Sequence, residues 1–282
     1  MTTTTAGTVG RTSTAALPSA LRVGIARGGV ELRQFFRQRM AVVFVFALPS
    51  VLLALFASIL HDRGLPPGVS EGQLVMGGIV AAGIVSTSFL NLGIGIAQDR
   101  DDHTLKRLRG TPMPLSAYFV GKLVLVLVSG VAGFGLEMLV GGLFFHVTLP
   151  ATAGDWLTFA WVVLLGTTAC ALLGIAASRL AKSARSAPAI LNLIFLVLEF
   201  MSGVFIVPVN TLPKWMIDFA SVFPLKWIAQ GMRSVFLPDG MMSLEAAGTW
   251  EHLTTALVLG GWCVAGLGLC VLTFRWTNRG ER

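Results

Sequence analysis

Residues 72–98 read GQLVMGGIVAAGIVSTSFLNLGIGIAQ and contain no charged side chain. A helix needs about 20 apolar residues to cross the hydrocarbon core of a bilayer, so this stretch alone is long enough to span a membrane. Strands of a membrane β-barrel would be about ten residues long with alternating polarity, a pattern that this run does not follow. The stretch therefore predicts an all-α integral membrane protein.

The composition of the whole chain agrees with a polytopic membrane protein. Of its 282 residues, 54% are hydrophobic and 12% are charged, and the mean hydropathy is +0.77. Soluble globular chains average about 25% charged residues. A disordered chain is excluded because it needs low hydrophobicity and high charge. A secreted disulfide scaffold is also disfavoured, since three cysteines are few and odd in number.

Five other apolar runs approach or reach the length of a span. Two of them are interrupted by one acid each, Glu137 and Glu199. We therefore expect a six-span domain over residues 40–275. The expected spans are residues 40–60, 72–98, 123–149, 156–178, 187–207 and 253–274.

The Lys and Arg residues predict how these spans are oriented. All but four of the 21 fall in segments on one side of the membrane, and the exceptions are Arg63, Lys214, Lys226 and Arg233. Basic loops favour the cytoplasmic side, so we expect a multi-pass plasma-membrane protein with both termini in the cytoplasm. Because the basic residues flank spans instead of forming one patch, we expect membrane lipids and no nucleic acid as partners.

Both ends of the chain are expected to be cytoplasmic tails. Residues 1–19 are rich in Thr and Ala and contain no acid, which predicts a disordered tail. An organellar transit peptide would have a similar composition and is the alternative. Residues 276–282 form the second expected tail.

Residues 20–39 have the pattern of an amphipathic helix. Phe35 and Phe36 continue a series of apolar residues at helical spacing, whereas Arg33 and Arg37 fall elsewhere on the helix. We expect this helix to lie in the cytoplasmic interface with its apolar face in the acyl boundary. A basic anchor that only sets the topology would show the same pattern.

The densest charge cluster of the chain is QDRDDHTLKRLRGTPMP at residues 98–114. Its acids come first and its bases last, which favours a short helix from Asp101 to Arg109. Gly110 and Pro112 would end that helix. A short charged helix at the membrane surface can dock a soluble partner, and a solvated loop that obeys the positive-inside rule is the alternative.

Residues 208–252 are expected to form an external insertion between the last two spans. Apolar and aromatic residues recur there at helical spacing between prolines, which predicts one or two short helices that lie at the outer leaflet or dip into it. These residues are Leu212, Trp215, Met216, Phe219, Val222 and Phe223.

The chain lacks the motifs of an enzyme. No phosphate-binding loop is present, because Gly121-Lys122 has Ser116 in place of the first glycine and Leu123 in place of Ser or Thr. The four histidines are scattered, the three cysteines fall within spans, and no nucleophile–base pattern occurs. We therefore expect no catalytic residue, no metal and no cofactor bound by this chain.

Two acids lie near the middle of spans, where a charged side chain costs about 2.5–3.5 kcal/mol on insertion scales. Glu137 and Glu199 are both expected to face the interior of the helix bundle. Glu199, together with Asn192, is a candidate substrate contact, and a hydrogen bond to a neighbouring helix is the alternative. Asn91 belongs to a polar face of the second span that either lines a path or allows close packing.

Three features together resemble the ABC-2 type permeases, the membrane subunits of bacterial ABC exporters such as those for drugs and antibiotics. The first is an amphipathic helix ahead of six spans. The second is the loop at 99–112, which is similar to the family's acidic-Arg-acidic, Thr-Leu and Thr-Pro pattern, although the family often has Glu at Asp99 and Asp101 and Gly at His103. The third comprises GVF at 203–205, Pro208, LPKW at 212–215 and FPL at 223–225.

The resemblance implies a partner ABC ATPase in two copies and a second permease half, identical or different. ATP and Mg²⁺ would bind to the ATPase and not to this chain. The implied ATPase-docking residues are Asp99, Arg100, Asp101, Asp102, Thr104, Leu105, Arg107 and Leu108 in the loop and Arg33, Phe35, Phe36 and Arg37 in the N-terminal helix.

The resemblance also implies that spans two and five of the two halves flank a central cavity. Its candidate lining residues are Phe89, Asn91, Asn192, Phe195, Glu199, Met201 and Phe205. This mainly apolar set favours export of amphipathic or hydrophobic compounds, that is drugs, antibiotics or lipids. Export of a lipid-linked glycan or glycolipid is the alternative within the same class, and a secondary transporter or a non-transporting scaffold or sensor is the alternative outside it.

Overall fold

The structure, a computed structural model, describes residues 19–60, 69–111 and 113–273. Within these ranges the chain forms helices and loops and no strand. Residues 1–18 and 274–282, which hold nearly all of the expected tails, lie outside the described residues, as do Arg63 and Pro112.

The described helices follow one another along the chain with short connections. The first six are α1 (Ala20–Arg37), α2 (Arg39–Val42), α3 (Leu48–Ile59), α4 (Glu71–Val85), α5 (Leu92–Asp101) and α6 (Thr104–Arg109). The next six are α7 (Leu115–Phe145), α8 (Ala153–Ala177), α9 (Ala187–Met201), α10 (Lys214–Ser221), α11 (Pro224–Phe236) and α12 (His252–Thr273). Two π-helical segments join α2 to α3 (Val43–Ala47) and α4 to α5 (Ser86–Asn91), and two 3₁₀ turns cover Val209–Thr211 and Asp239–Leu244.

Four of the six expected spans coincide with helices that are long and apolar enough to cross a membrane. They cover Glu71–Asp101, Ser116–Phe145, Ala153–Ala177 and His252–Leu272. The other two expected spans coincide with shorter apolar helices, Val45–Ile59 and Ala187–Met201. The described residues therefore form helices without strands, of which four have membrane length and two are shorter apolar helices.

Helix α9 is shorter than the expected span over residues 187–207. Its 15 residues reach about 22 Å, against a hydrocarbon core of about 30 Å. The helix ends because the chain turns at Gly203, whose φ of 68° is the left-handed conformation that glycine adopts without strain. Phe205 lies beyond this turn and stacks on Phe56 with ring centroids 4.9 Å apart.

Helix α4 is the centre of the bundle, and it packs against α3, α7, α8 and α11. It begins with a capping box, in which the Ser70 hydroxyl accepts from the Gln73 backbone and the Gln73 side chain accepts from the Ser70 backbone. Glycines then allow neighbouring backbones to approach. A Cβ at Gly77 would lie 2.6 Å from the backbone nitrogen of Arg233, so α11 contacts α4 backbone to backbone.

Helix α11 is the buried helix of the insertion at residues 208–252. Twelve of its residues are buried, and it packs against α4, α8 and α12. Its most polar residue, Arg233, is 1% exposed and donates two hydrogen bonds to the Glu245 carboxylate and one to the Gly203 carbonyl. The preceding helix, α10, instead leaves Trp215 and Phe219 exposed. The insertion thus contains two short helices, and the second is part of the bundle.

Helix α1 packs lengthwise against α7. The contact is close because Gly24 and Gly28 face valines of α7, and a Cβ at Gly28 would lie 2.6 Å from Cβ of Val124. The packed face of α1 overlaps the expected apolar face in part, because Gly28 and Phe35 are both buried. Leu21, at the start of the helix, is nevertheless 62% exposed.

Candidate functional site

The expected docking loop and the N-terminal helix enclose one polar groove. This groove, called here the α1–α6 cleft, has a volume of about 610 Å³. Its lining residues are Arg27, Gln34, Arg37, Gln38, Gln98, Asp99, Asp102, Thr104, Arg107 and Leu108. The cleft thus combines acids and bases from two elements that are separate in the sequence.

A cluster of five side chains ties the loop to both α1 and α7. We call these residues, Arg27, Glu31, Asp99, Tyr118 and Lys122, the Lys122 cluster. Lys122 Nζ lies 2.8 Å from a Glu31 oxygen and 2.6 Å from an Asp99 oxygen. The Tyr118 hydroxyl donates to Asp99 at 2.9 Å, and Arg27 lies 2.8 Å from Glu31. Because these groups are largely buried, removing one partner would leave an uncompensated charge inside the protein.

The loop is also tied to residues 178–186, which join α8 to α9. Arg100 donates to the Ser178 carbonyl at 3.2 Å and to the Ala181 carbonyl at 2.5 Å. The Asp101 carboxylate accepts from the Ala184 backbone at 2.9 Å. A displacement of the loop would therefore reach the start of α9 as well as α1 and α7.

The helix expected from Asp101 to Arg109 is observed from Thr104 to Arg109, because Asp101 belongs to α5. Between the two helices His103 has φ 57° and ψ 16°, a left-handed conformation. A residue with a Cβ loses roughly 1–2 kcal/mol in that conformation, so glycine would adopt it more readily than histidine. The turn sets α6 off from the axis of α5.

The expected docking residues divide into two groups. Leu105 is buried, while Asp99 and Arg100 direct their charged groups to the contacts just described. Asp102, Thr104, Arg107 and Leu108 line the cleft, which Asp99 also borders, and Asp101 is exposed while its carboxylate accepts from Ala184. Arg107 donates to the Asp102 carbonyl at 3.2 Å and to the Thr104 hydroxyl at 3.3 Å, which holds its guanidinium along α6.

The expected docking residues of the N-terminal helix differ in their exposure and in whether they line the cleft. Arg37 lines the cleft, and Arg33 is exposed outside its lining. Phe35 is buried, whereas Phe36 is half exposed and stacks on Phe46 with ring centroids 6.1 Å apart. Only part of this helix therefore faces the loop.

The expected cavity residues are not gathered into one cavity within the described chain. Phe89 lines an apolar groove of about 360 Å³ beside α8, α9 and α11. Asn91 lines a separate polar cavity of about 60 Å³ beneath α1, and its amide nitrogen has no hydrogen-bond partner there.

The cavity candidates on and after α9 line neither of these two spaces. Asn192 is exposed and donates to the Pro188 carbonyl, whereas Glu199 is buried. Phe195 and Met201 are partly buried, and Phe205 packs against aromatic rings.

Sequence reasoning missed Glu31, Tyr118 and Lys122. Lys122 was counted only as a flanking positive charge, and its partner Glu31 lies 91 positions away. One signal was present in the sequence, since Glu31 is the only acid among residues 20–40 and is followed at once by apolar Leu32. The described residues contain no group of three or more His, Cys, Asp or Glu arranged to hold a metal.

A comparison with protein-family models matches residues 29–237 to the ABC-2 type transporter family. The chain belongs to the ABC-2 type transporter family. The matched region begins within α1 and ends directly after α11, so it contains the loop, α6 and all but the first residue of the Lys122 cluster. A search of curated proteins finds no match to the chain. As an ABC-2 permease domain, the protein is a membrane transport component, and such domains in general work with ABC ATPases.

Proposed function

We propose that this ABC-2 protein is the permease half of an ATP-driven exporter of amphipathic or hydrophobic compounds. Two ATPase subunits would supply ATP hydrolysis, and a second permease half would complete the membrane part. The protein would lie in the plasma membrane with six spans and with the α1–α6 cleft on the cytoplasmic side. Closure of the ATPase pair would move the loop and switch the access of a central cavity, a rigid-body change typical of such proteins.

The observation that carries this proposal is the anchoring of the loop. A docking loop can transmit force only if it is fixed to the helices that must move. The Lys122 cluster fixes it to α1 and α7, and Arg100 and Asp101 fix it to the segment before α9. Asp102 and Arg107 remain at the cleft, where a soluble subunit can reach them.

The proposed cargo follows from the nature of the other grooves. The groove that contains Phe89 is lined almost entirely by apolar side chains. The outer face of α9 leaves Leu193, Leu196 and Phe200 at least half exposed, next to the polar Asn192. A cavity between two such faces would suit a compound with a large apolar body and few polar groups.

The test is a mild-detergent pull-down of the tagged protein expressed together with its neighbouring genes. We expect an ATPase to be recovered in a complex with the mass of two permease halves and two ATPases. Arg107→Glu should lose the ATPase because it reverses a charge in the cleft. Arg22→Glu is the matched control, since Arg22 is an exposed arginine at the start of α1 outside the cleft.

Two results would contradict the proposal. One is a wild-type protein that is recovered without any ATPase, which would favour a scaffold or a secondary transporter. The other is an equal yield of ATPase from the Arg107→Glu and Arg22→Glu proteins, which would remove the cleft as the docking surface.

A further inference from the structure

Glu137 lies on α7 in a small cavity that the proposed mechanism does not use. The cavity has a volume of about 100 Å³ and lies between α4, α7, α8 and the π-helical segment before α3. The Glu137 side chain is 3% exposed, and no hydrogen bond or ion pair to it is found in the part of the chain that the structure describes. A buried carboxylate without a hydrogen-bond or ion-pair partner is costly in free energy, so a proton or a positive charge must neutralise it.

The helices around the cavity offer no positive charge of their own. No Lys, Arg or His occurs in residues 72–98, 123–145 or 156–177, which form its α4, α7 and α8 walls. The wall from the π-helical segment before α3 contributes Val45, which is also uncharged. No described residue that lines the cavity supplies a counter-charge for Glu137, so the carboxyl must hold a proton or meet a cation that enters the cavity.

The space beside Glu137 is made by glycines. A Cβ at Gly83 would lie 2.7 Å from a Glu137 oxygen, so a larger residue at this point of α4 would push the carboxyl aside. Gly130 is open on the cavity side, because a Cβ there would meet Thr87 Oγ1 at 3.9 Å and nothing nearer. The absence of side chains at these positions keeps both the carboxyl and the adjoining volume accessible.

Two aromatic rings lie in the same cavity. The rings of Phe134 and Phe159 line it, with centroids 4.6 Å apart. Aromatic faces attract organic cations, and the attraction is stronger where water is excluded. A carboxylate and two phenyl rings in one apolar cavity favour a cationic head group and disfavour an anionic one.

Two residues of the cavity wall also lie on the outer surface of the bundle. Leu127 and Val131 form part of the wall, and Val131 is 72% exposed on the apolar face of α7. A ligand with an alkyl chain can place its head beside Glu137 and leave the chain outside, along these residues. The small volume fits an ammonium head with a few methylene groups and excludes a bulky head.

We propose that this cavity is a binding site for the head of a lipophilic alkylammonium ion, which enters from the hydrocarbon region. The ammonium donates hydrogen bonds to the Glu137 carboxylate, and the first methylene groups contact Phe134 and Phe159. The site is separate from the cavity expected between two permease halves. It does not depend on the exporter proposal, because it lies within one chain and needs no ATPase.

The test measures binding of radiolabelled decylammonium to the purified protein in phosphatidylcholine nanodiscs without any ATPase. Empty nanodiscs give the non-specific partition, and the zwitterionic lipid adds no net negative surface charge. We expect saturable binding of one molecule per chain. Decanol, which has the same chain length and a neutral head of similar size, should compete at least tenfold less well.

Three variants separate the charge, the space and the fold. Glu137→Gln keeps the shape and removes the charge, and it should weaken binding at least tenfold. Gly130→Leu keeps Glu137 but fills the cavity, and it should abolish saturable binding. Gly135→Leu is the matched control on the same helix, because a Cβ at Gly135 meets nothing within 4 Å and this glycine does not line the cavity.

The proposal is overturned if the wild-type protein shows no saturable binding above empty nanodiscs. It is also overturned if Glu137→Gln binds decylammonium as tightly as wild type, or if decanol competes equally well, because Glu137 would then hold only a proton. Should Glu137→Gln fail to fold, equal binding by the Gly130→Leu and Gly135→Leu proteins would have the same consequence.

Discussion

Lys122 neutralises two carboxylates that come from different parts of the chain. Its ammonium lies within 2.8 Å of both Glu31 and Asp99, and its side chain is 5% exposed. In water such a pair would contribute at most about 1 kcal/mol. Inside the protein, the desolvated carboxylates depend on Lys122 for compensation, so one lysine holds α1, α5 and α7 together.

Replacing Lys122 by alanine should therefore destabilise the protein strongly. Loss of one partner of a buried ion pair costs about 3–5 kcal/mol, which for a chain of this size corresponds to a fall in apparent Tm on the order of 10 °C. Tryptophan fluorescence of the purified protein during heating measures this change. Lys122→Arg keeps the charge and should retain most of the stability.

Arg22→Ala provides the comparison, since Arg22 is exposed and its removal should change stability by no more than about 0.5 kcal/mol. An equal Tm for the Lys122→Ala and Arg22→Ala proteins would mean that the Lys122 cluster does not hold the three helices together.

At the scale of elements, α11 shows how an insertion becomes part of the core. Arg233 carries a full charge into the bundle, where the Glu245 carboxylate and the Gly203 carbonyl satisfy three of its donors. Glu245 belongs to the segment after the 3₁₀ turn, and Gly203 to the turn after α9. One guanidinium thus joins α11 to two segments that lie outside regular helices.

Glu245→Gln should loosen this arrangement by leaving the Arg233 charge uncompensated. We expect a loss of about 3–5 kcal/mol, because both side chains are 1% exposed. Asp218→Asn is the matched control, since Asp218 is an exposed acid on α10 of the same insertion, so that this change should alter stability by no more than about 0.5 kcal/mol. The apparent Tm and the rate of limited proteolysis within residues 237–251 measure the loss of stability. Equal Tm values and proteolysis rates for the two variants would refute the prediction.

The elements differ in how far the sequence determines them. The four long helices follow from apolar runs, because a run of that length has no other way to bury its backbone in a bilayer. The end of α9 could not be predicted, since it depends on a turn at Gly203 inside an apolar run. The burial of α11 could not be predicted either, because Lys226, Gln230 and Arg233 give it the composition of a surface helix. The partner that allows Arg233 to be buried, Glu245, lies 12 positions further along the chain.

The candidate site was predictable in place but not in detail. Charge density and the resemblance located the loop at 98–114, and the cleft is there. The inward orientation of Asp99 and Arg100 depends on tertiary contacts with residues 19 to 81 positions away in the sequence. A local sequence pattern does not contain that information.

At the scale of the whole molecule, large apolar areas are left exposed by the described chain. They include residues of α7, α9 and α12, such as Val131, Leu193 and Val264. A soluble protein rarely exposes contiguous apolar patches of this kind, so the areas must face lipid or another protein. The α9 area contains an exposed polar residue in the body of its helix, Asn192, which favours a protein neighbour over lipid.

Leu196→Cys tests which areas a second permease half covers. In a protein whose Cys170, Cys263 and Cys270 are replaced by alanine, we expect oxidation to give a covalent dimer through residue 196. Val264→Cys, which is 74% exposed on α12, should remain monomeric as a lipid-facing control. Mass spectrometry of the dimer distinguishes two copies of this chain from two different halves. Dimers through residue 264 and none through residue 196 would assign the interface to α12 instead.

The π-helical segment Ser86–Asn91 has a consequence for the direction of every side chain that follows it. A π turn holds one residue more than an α turn, and each residue of an α-helix advances the azimuth by about 100°. In the 31-residue helix Glu71–Asp101, the side chains after the π-helical segment are therefore rotated by about one residue relative to those before it. With regular α geometry throughout, the Asp99 side chain would be rotated by about 100° and would point away from Lys122. The extra residue of the π-helical segment therefore determines that Asp99 faces Lys122 and anchors the loop.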